Sequence, residues 1–149
     1  MIRVQSEDFD FGAEIKALSR DNHQIGGLCS FVGLVRDIHP DAENQAMTLE
    51  HYPGMTEKML EEIEQEAQTR WPLEASLIIH RFGRLEPGDQ IVLVATASRH
   101  REAAFESCHF LMDWLKTKAP FWKLEEVDGK GEWVEARDSD DKATRKWQQ

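Results

Sequence analysis

The fold is decided by residues 91–123, which read IVLVATASRHREAAFESCHFLMDWLKTKAPFWK. The apolar run Ile91–Ala97 predicts a strand. A helix from about Arg99 to Lys118 follows, because the next apolar residues recur with a helical period. Its core-facing positions are Ala104, Phe105, Cys108, Leu111, Met112 and Leu115. Pro120 cannot continue a helix, so the stretch predicts a strand, a long helix and a sharp stop.

The segments on either side of this stretch show further strand and helix patterns. A strand is expected over 77–82, and the turn sequence LEPGD at 85–89 predicts that it pairs with the strand over 91–97 as a hairpin. Asp128-Gly129 predicts a second hairpin turn. The other expected elements are strands over 1–5, 28–35 (buried) and 47–52 and helices over 11–18 and 56–70. Frequent hairpins among interleaved helices favour an α+β fold with a mainly antiparallel sheet over a doubly wound parallel fold.

Length and composition fit one domain spanning residues 1–149. Hydrophobic residues make up 40% of the 149, enough for a core. The formal net charge of −10 argues against a nucleic-acid binder with a generally basic surface. No segment approaches the roughly eighteen consecutive apolar residues of a membrane helix, and the N-terminus lacks a secretory-signal layout, so we expect a cytoplasmic protein. Residues 138–149 are polar, and the sequence leaves open whether this tail is ordered or is mobile until it meets a partner.

Neither the cysteines nor the histidines predict a metal or cofactor site. Cys29 and Cys108 lie in separate apolar runs with no CxxC pair, which favours two buried reduced thiols over a disulfide or a metal site. No lysine or arginine is adjacent to either cysteine to activate a thiolate. The six histidines have no ligand spacing such as HExxH. We therefore expect no metal and no cofactor.

Two segments place basic side chains where an anion could bind. Arg36 ends a strand, where its guanidinium could clamp an anion, and an ordinary surface arginine is the alternative. Arg99-His100-Arg101 lies at a strand-to-helix junction. Free N–H groups there attract anions, whereas three basic residues oppose the helix dipole. This junction is therefore either a phosphate-type site or a solvated charge cluster.

Two lysines near the end of the long helix form a third candidate site. Lys116 follows the apolar positions Met112 and Leu115, and Lys123 follows two aromatic residues. Desolvation at such positions lowers the pKa of a lysine, which suits proton transfer, covalent catalysis or charge stabilisation. The alternative is that the helix dipole favours lysines at a C-terminus. That explains Lys118 well and Lys116 partly, but not Lys123.

The helix geometry separates the two groups of basic residues. Arg101 and Lys116 are fifteen residues apart, which is roughly 22 Å along a helix. One chain would struggle to wrap both around one small molecule. Two such helices related by a two-fold axis could place the start of one near the end of the other. We therefore predict a homodimer with composite sites, in which one copy supplies His100 and Arg101 and the other supplies Lys116 and Lys123.

Several segments resemble, in their order and spacing, the catalytic (large) subunit of molybdopterin synthase over most of the chain. They are TLEHYPGMT at 48–56, IHRFG at 79–83, PGD at 87–89, HR at 100–101, LKTKAPFWK at 115–123 and WVEA at 133–136. The resemblance implies an α/β-hammerhead fold with an additional antiparallel β subdomain. It also implies a central homodimer in which each copy binds one small ubiquitin-like sulfur-carrier subunit, giving a heterotetramer. The C-terminal Gly-Gly thiocarboxylate of the carrier would donate sulfur to cyclic pyranopterin monophosphate, forming the dithiolene of molybdopterin.

The same resemblance assigns roles to individual residues. The matched positions are Lys116 and Lys123 for catalysis and Val35 (through its backbone), Arg36, His100, Arg101 and Glu125 for substrate binding. Phe31 and Met112 are further expected to line the pocket. One departure is Leu34, since the family often has lysine in a Gly-Lys-Val-Arg stretch at this place.

Two other functions stay open from the sequence alone. A non-catalytic module that binds a ubiquitin-like partner would need the docking groove but not two desolvated lysines. A different enzyme acting on another phosphorylated small molecule is the other alternative, and Leu34 is the residue that favours it.

Overall fold

Two four-stranded sheets and three helices form the part of the chain that the structure describes. The structure is a computed structural model that describes residues 1–134, 142 and 145–148. The elements in chain order are β1 (Ile2–Gln5), α1 (Phe11–Ser19), β2 (Gly27–Leu34), β3 (Gln45–His51), α2 (Met55–Arg70), β4 (Leu73–Arg81), β5 (Gly83–Leu85), β6 (Gln90–Ser98), α3 (Arg101–Thr117), β7 (Phe121–Val127) and β8 (Lys130–Val134). No helix among these described residues is long and apolar enough to cross a membrane.

The first sheet has the strand order β1-β4-β6-β2 and is covered by helices on both faces. Its pairs are antiparallel except for β1 and β4, which run parallel. Successive residues of a strand point to opposite faces, so Leu77 and Ile79 pack beside α1 while Ile78 packs beneath α2 and α3. Leu60 of α2 and Leu111 of α3 are fully buried in that second layer. The predicted α+β class is confirmed.

The second sheet has the order β5-β3-β7-β8 and packs on a small core of its own, formed by Val35, Met47, Leu49 and Leu85. The predicted pairing of β4 with β6 is confirmed. The connection between them is more than a turn, because Gly83–Leu85 pairs with β3 in the second sheet. Gly83 has a φ of 93°, a left-handed conformation that favours glycine.

The predicted hairpin at Asp128-Gly129 is confirmed and joins β7 to β8. Both turn residues have positive φ, 49° and 85°, as a type I′ turn requires. The Asp128 amide donates to the carbonyl of Asn44 at 2.8 Å, and the Asn44 amide donates back to an Asp128 carboxylate oxygen at 3.2 Å. The turn is therefore tied to the start of β3.

The expectations about the burial of Phe105 and of β2 need correction. Phe105 of α3 was expected to face the core, but it is 61% exposed. β2 was expected to be buried, but it is the edge strand of its sheet and leaves Phe31 45% and Leu34 56% exposed. The sequence left the order of the polar tail open, and in the structure Trp147 packs against Trp71 and Phe110 of the same chain. Residues 138–141, 143, 144 and 149 of that tail lie outside the described residues, as do Glu135 and Ala136 of the WVEA segment.

The two cysteines are free thiols, as expected. Cys108 is buried in the layer between the first sheet and α3, and its Sγ lies 3.9 Å from the carbonyl oxygen of Val94. Burial, with the nearby Cys29, raises the pKa of the Cys108 thiol. The neutral thiol is therefore its stable form at neutral pH, and Cys29 is half-buried beside it.

Candidate active site

A cavity of about 630 Å³ lies where the two sheets meet the C-terminal end of α3. This volume is in the range of small-molecule sites. It is lined by Leu34, Val35, Arg36, Asp37, Ile38, Met47, Leu49, His80, Ile91, Leu115, Lys116, Thr117, Ala119, Phe121, Lys123, Glu125 and Val134. Five of the seven residues that the sequence assigned to the site are therefore together.

Strand β7 contributes a lysine and a carboxylate to this cavity. Lys123 and Glu125 alternate along the strand with outward-facing residues, so both point to the face that carries Phe121. The Lys123 Nζ lies 3.7 Å from Glu125 Oε1, and both side chains are half-buried. The predicted partial burial of Lys123 is confirmed, and the cation has an acidic neighbour inside the cavity.

Lys116 reaches the cavity from the last turn of α3. Leu115 beside it is buried, whereas Lys116 itself is exposed in the single chain. The expected desolvation of Lys116 is therefore not present in one copy alone. The positive charge of Lys116 nevertheless acts inside the site, because it contributes to lowering the pKa of the buried His80.

The segment after β2 closes another side of the cavity. Val35 is buried, its amide donates to the carbonyl of Asp89 at 2.9 Å, and its carbonyl accepts from the amide of Gly88 at 2.7 Å. These two bonds tie the segment to the turn before β6. Arg36 follows at once and is exposed at the cavity wall, where its guanidinium can meet an anion.

His100 and Arg101 lie at the opposite end of α3. His100 is the N-cap of the helix, and it lines a second cavity of about 510 Å³ together with Arg99. Arg101 is exposed and borders neither cavity. The single chain thus separates these two residues from the lysines, which is the separation that the helix length predicts.

Comparison with known proteins places the chain in a family. The sequence model of the MoaE protein family matches residues 4–118. The chain belongs to the MoaE family. A relative from Pseudomonas aeruginosa named molybdopterin synthase catalytic subunit is 53% identical over 148 residues, covering 99% of each chain.

Solved structures of the MoaE family share the fold. A molybdopterin cofactor biosynthesis protein E from Burkholderia multivorans has a TM-score of 0.84 at 52% identity and covers 99% of this chain and 95% of its own. A molybdopterin synthase from Staphylococcus aureus has a TM-score of 0.81 at 27% identity, covering 89% and 96%. The fold is therefore retained across relatives of very different sequence.

Two expected lining residues are not at the cavity of this MoaE-family chain. Met112 is buried in the core between α3, α2 and the first sheet, one turn before Lys116. Phe31 points out from the exposed edge strand β2. Both stay predictions for a site shared between two copies, because the strand and helix periods turn these side chains away from the cavity of the single chain.

His80 is a lining residue that the sequence reasoning missed. The sequence showed His80 only as one of six histidines without the spacing of metal ligands and as part of the IHRFG segment. A signal was present, since His80 is a titratable residue that directly follows the apolar run Leu77–Ile79 of a strand. Among the described residues, no group of three histidines, cysteines or carboxylates is arranged to hold a metal ion.

Proposed function

We propose that this chain is the catalytic subunit of a molybdopterin synthase. It would transfer sulfur from the C-terminal thiocarboxylate of a small ubiquitin-like carrier subunit to cyclic pyranopterin monophosphate. The observation that carries the proposal is the cavity, which joins Lys116 of α3, Lys123 and Glu125 of β7 and Arg36 after β2 in one space. Family membership and the name of the close relatives support it.

The cavity chemistry suits acyl and sulfur transfer. The thiocarboxylate sulfur attacks a substrate carbon and displaces an oxygen from it, which joins carrier and substrate through a thioester. Water then attacks the acyl carbon, the bond from that carbon to sulfur breaks, the sulfur stays on the substrate and the carrier leaves with a C-terminal carboxylate. Negative charge develops on the acyl oxygen in this step, and the ammonium of Lys116 would stabilise it. The Lys116 amine could alternatively accept the acyl group or protonate a leaving oxygen. Lys123, beside Glu125, would supply the second positive charge.

Anion binding would require a second copy of the chain. The cyclic phosphate of the substrate needs cations, and Arg36 is the arginine at the cavity wall. Arg101 of another copy would add a second guanidinium and His100 a hydrogen-bonding side chain, consistent with their position at the far end of α3. A homodimer with one carrier subunit on each copy, a heterotetramer overall, meets this requirement.

A single-turnover assay tests the proposed function. The purified protein is mixed with cyclic pyranopterin monophosphate and thiocarboxylated carrier, and the dithiolene product is measured for wild type, Lys116→Ala and Lys118→Ala. Lys118 is the matched control, because it lies two residues further along the chain, is exposed and does not line the cavity. We expect product from wild type and Lys118→Ala and a loss of about a hundredfold or more in Lys116→Ala.

Two outcomes of this assay contradict the proposal. Carrier binding without product in the wild type would favour a non-catalytic module for a ubiquitin-like partner. Binding of a phosphorylated small molecule without reaction of the pterin would favour a different enzyme, for which the exposed Leu34 at the cavity is the supporting residue.

A further inference from the structure

His80 is a buried histidine, and the burial of its polar ring needs a physical explanation. It lies near the end of β4, on the sheet face that Ile78 presents to α2 and α3, and is 8% exposed. Its ring stacks on Phe121 with centroids 3.7 Å apart and planes 15° apart. An apolar residue would satisfy this packing equally well, so the ring nitrogens of His80 require an explanation.

The hydrogen bonds of His80 fix its tautomer. Nδ1 lies 2.8 Å from the carbonyl oxygen of Arg81. A carbonyl oxygen only accepts, so Nδ1 carries the hydrogen and Nε2 carries a lone pair. Burial lowers the pKa of His80 to about 4, and the charges of Lys116 and His51 act in the same direction. The ring is therefore neutral at neutral pH, with Nε2 able to accept a hydrogen bond.

The Nε2 atom of His80 is open to the cavity. The hydrogen bond that the structure gives the His80 ring is made by Nδ1. His80 Nε2 is not among the buried side-chain atoms without a partner, for which the described residues give only Nε of Arg3. His80 lines the large cavity, and its lone pair is reached from there.

We propose that His80 is a positioning residue, whose Nε2 accepts a hydrogen bond from the Lys116 ammonium and directs that side chain into the cavity. Both residues line the same cavity, and the charge of Lys116 acts on the His80 ring. The Lys116 head is exposed, so rotations about its side-chain bonds bring it to the ring. Its three N–H groups can serve other partners at the same time. The catalytic consequence of this contact rests on the proposed function.

Two substitutions separate this role from a structural one. His80→Asn keeps a donor near Nδ1 for the Arg81 carbonyl but does not reach the Nε2 position, whereas His80→Gln places an amide oxygen near Nε2. We expect His80→Asn to lower kcat about tenfold or more with KM within about twofold, and His80→Gln to recover most of kcat. An Asn variant as active as wild type, or more active than the Gln variant, would overturn the proposal. Urea unfolding of each variant identifies losses that come from stability.

A spectroscopic test needs neither a substitution at His80 nor enzyme activity. The 15N resonance of His80 Nε2 is followed in wild type, Lys116→Ala and Lys118→Ala. We expect the resonance to move toward that of an unbonded nitrogen in Lys116→Ala and to stay in place in Lys118→Ala. No movement in Lys116→Ala rejects the contact. If the resonance moves in Lys116→Ala but the wild type forms no dithiolene product, the contact is supported and the proposed function is rejected.

Discussion

At the scale of single residues, the candidate site combines groups whose environments differ sharply. Lys123 is half-buried beside a carboxylate, Lys116 is exposed, and His80 is buried and neutral. The residue types and their spacing along the chain indicated the two lysines. Their different burial could not be predicted, because it depends on how β7 and the end of α3 meet across the cavity. Leu34 is an exposed apolar residue at the wall, so an anion at that position would have to be held by Arg36 beside it.

His80 should make the stability of the fold depend on pH. Its pKa is about 4 in the folded chain and ordinarily 6.5, so between these values the unfolded chain takes up a proton that the folded chain does not. The stabilisation is complete above pH 6.5 and is lost as the pH falls toward 4. We expect wild type to lose about 2–3 kcal/mol more free energy of unfolding than His80→Gln between pH 7 and pH 4.5. Urea unfolding at the two pH values measures this, and equal losses in both proteins would refute it.

At the scale of secondary structure elements, local patterns predicted most helices and strands but not their surroundings. The helical period gave α3 to within about two residues at each end, and the Asp128-Gly129 turn gave the last hairpin. β5 was missed because three residues are too few to show a period, and its pairing with β3 is long-range. The parallel partner of β1 was not predicted either, since register between distant strands leaves no local signal.

Gly26 holds the loop before β2 against the junction that carries His100. A Cβ at this position would lie 2.1 Å from the carbonyl oxygen of Arg99, a backbone atom that cannot move alone. We expect Gly26→Ala to lower the free energy of unfolding by on the order of 2 kcal/mol or more. Gly12→Ala is the control, because its Cβ would meet its nearest neighbour at 3.7 Å and alanine is the better helix former. Denaturant midpoints should shift in opposite directions, and a Gly26→Ala midpoint at or above that of wild type would contradict the close contact.

At the scale of the whole molecule, we propose that the single chain holds only part of the anion site. Its main cavity holds Arg36, Lys116 and Lys123, while His100 and Arg101 lie near the start of the same long helix. The edge strand β2 exposes the apolar side chains of Phe31 and Leu34. Completion of the site by a two-fold-related chain stays a prediction, and the helix length is the feature of the sequence that led to it.

Mixing two inactive variants tests the composite site directly. Lys116→Ala and Arg101→Ala are each expected to be nearly inactive as homodimers, because every site lacks one group. If each site takes Lys116 from one copy and Arg101 from the other, a mixed dimer has one doubly altered site and one intact site. Random reassociation of equal amounts makes half of the dimers mixed, so about a quarter of the wild-type activity should return.

The mixture is unfolded and refolded together, and the single-turnover yield is compared with that of each variant treated alone. A mixture that stays as inactive as its components would show that both residues act within one chain or that Arg101 acts outside the site. A wild-type protein that remains monomeric at assay concentration, yet active, would exclude the shared site altogether.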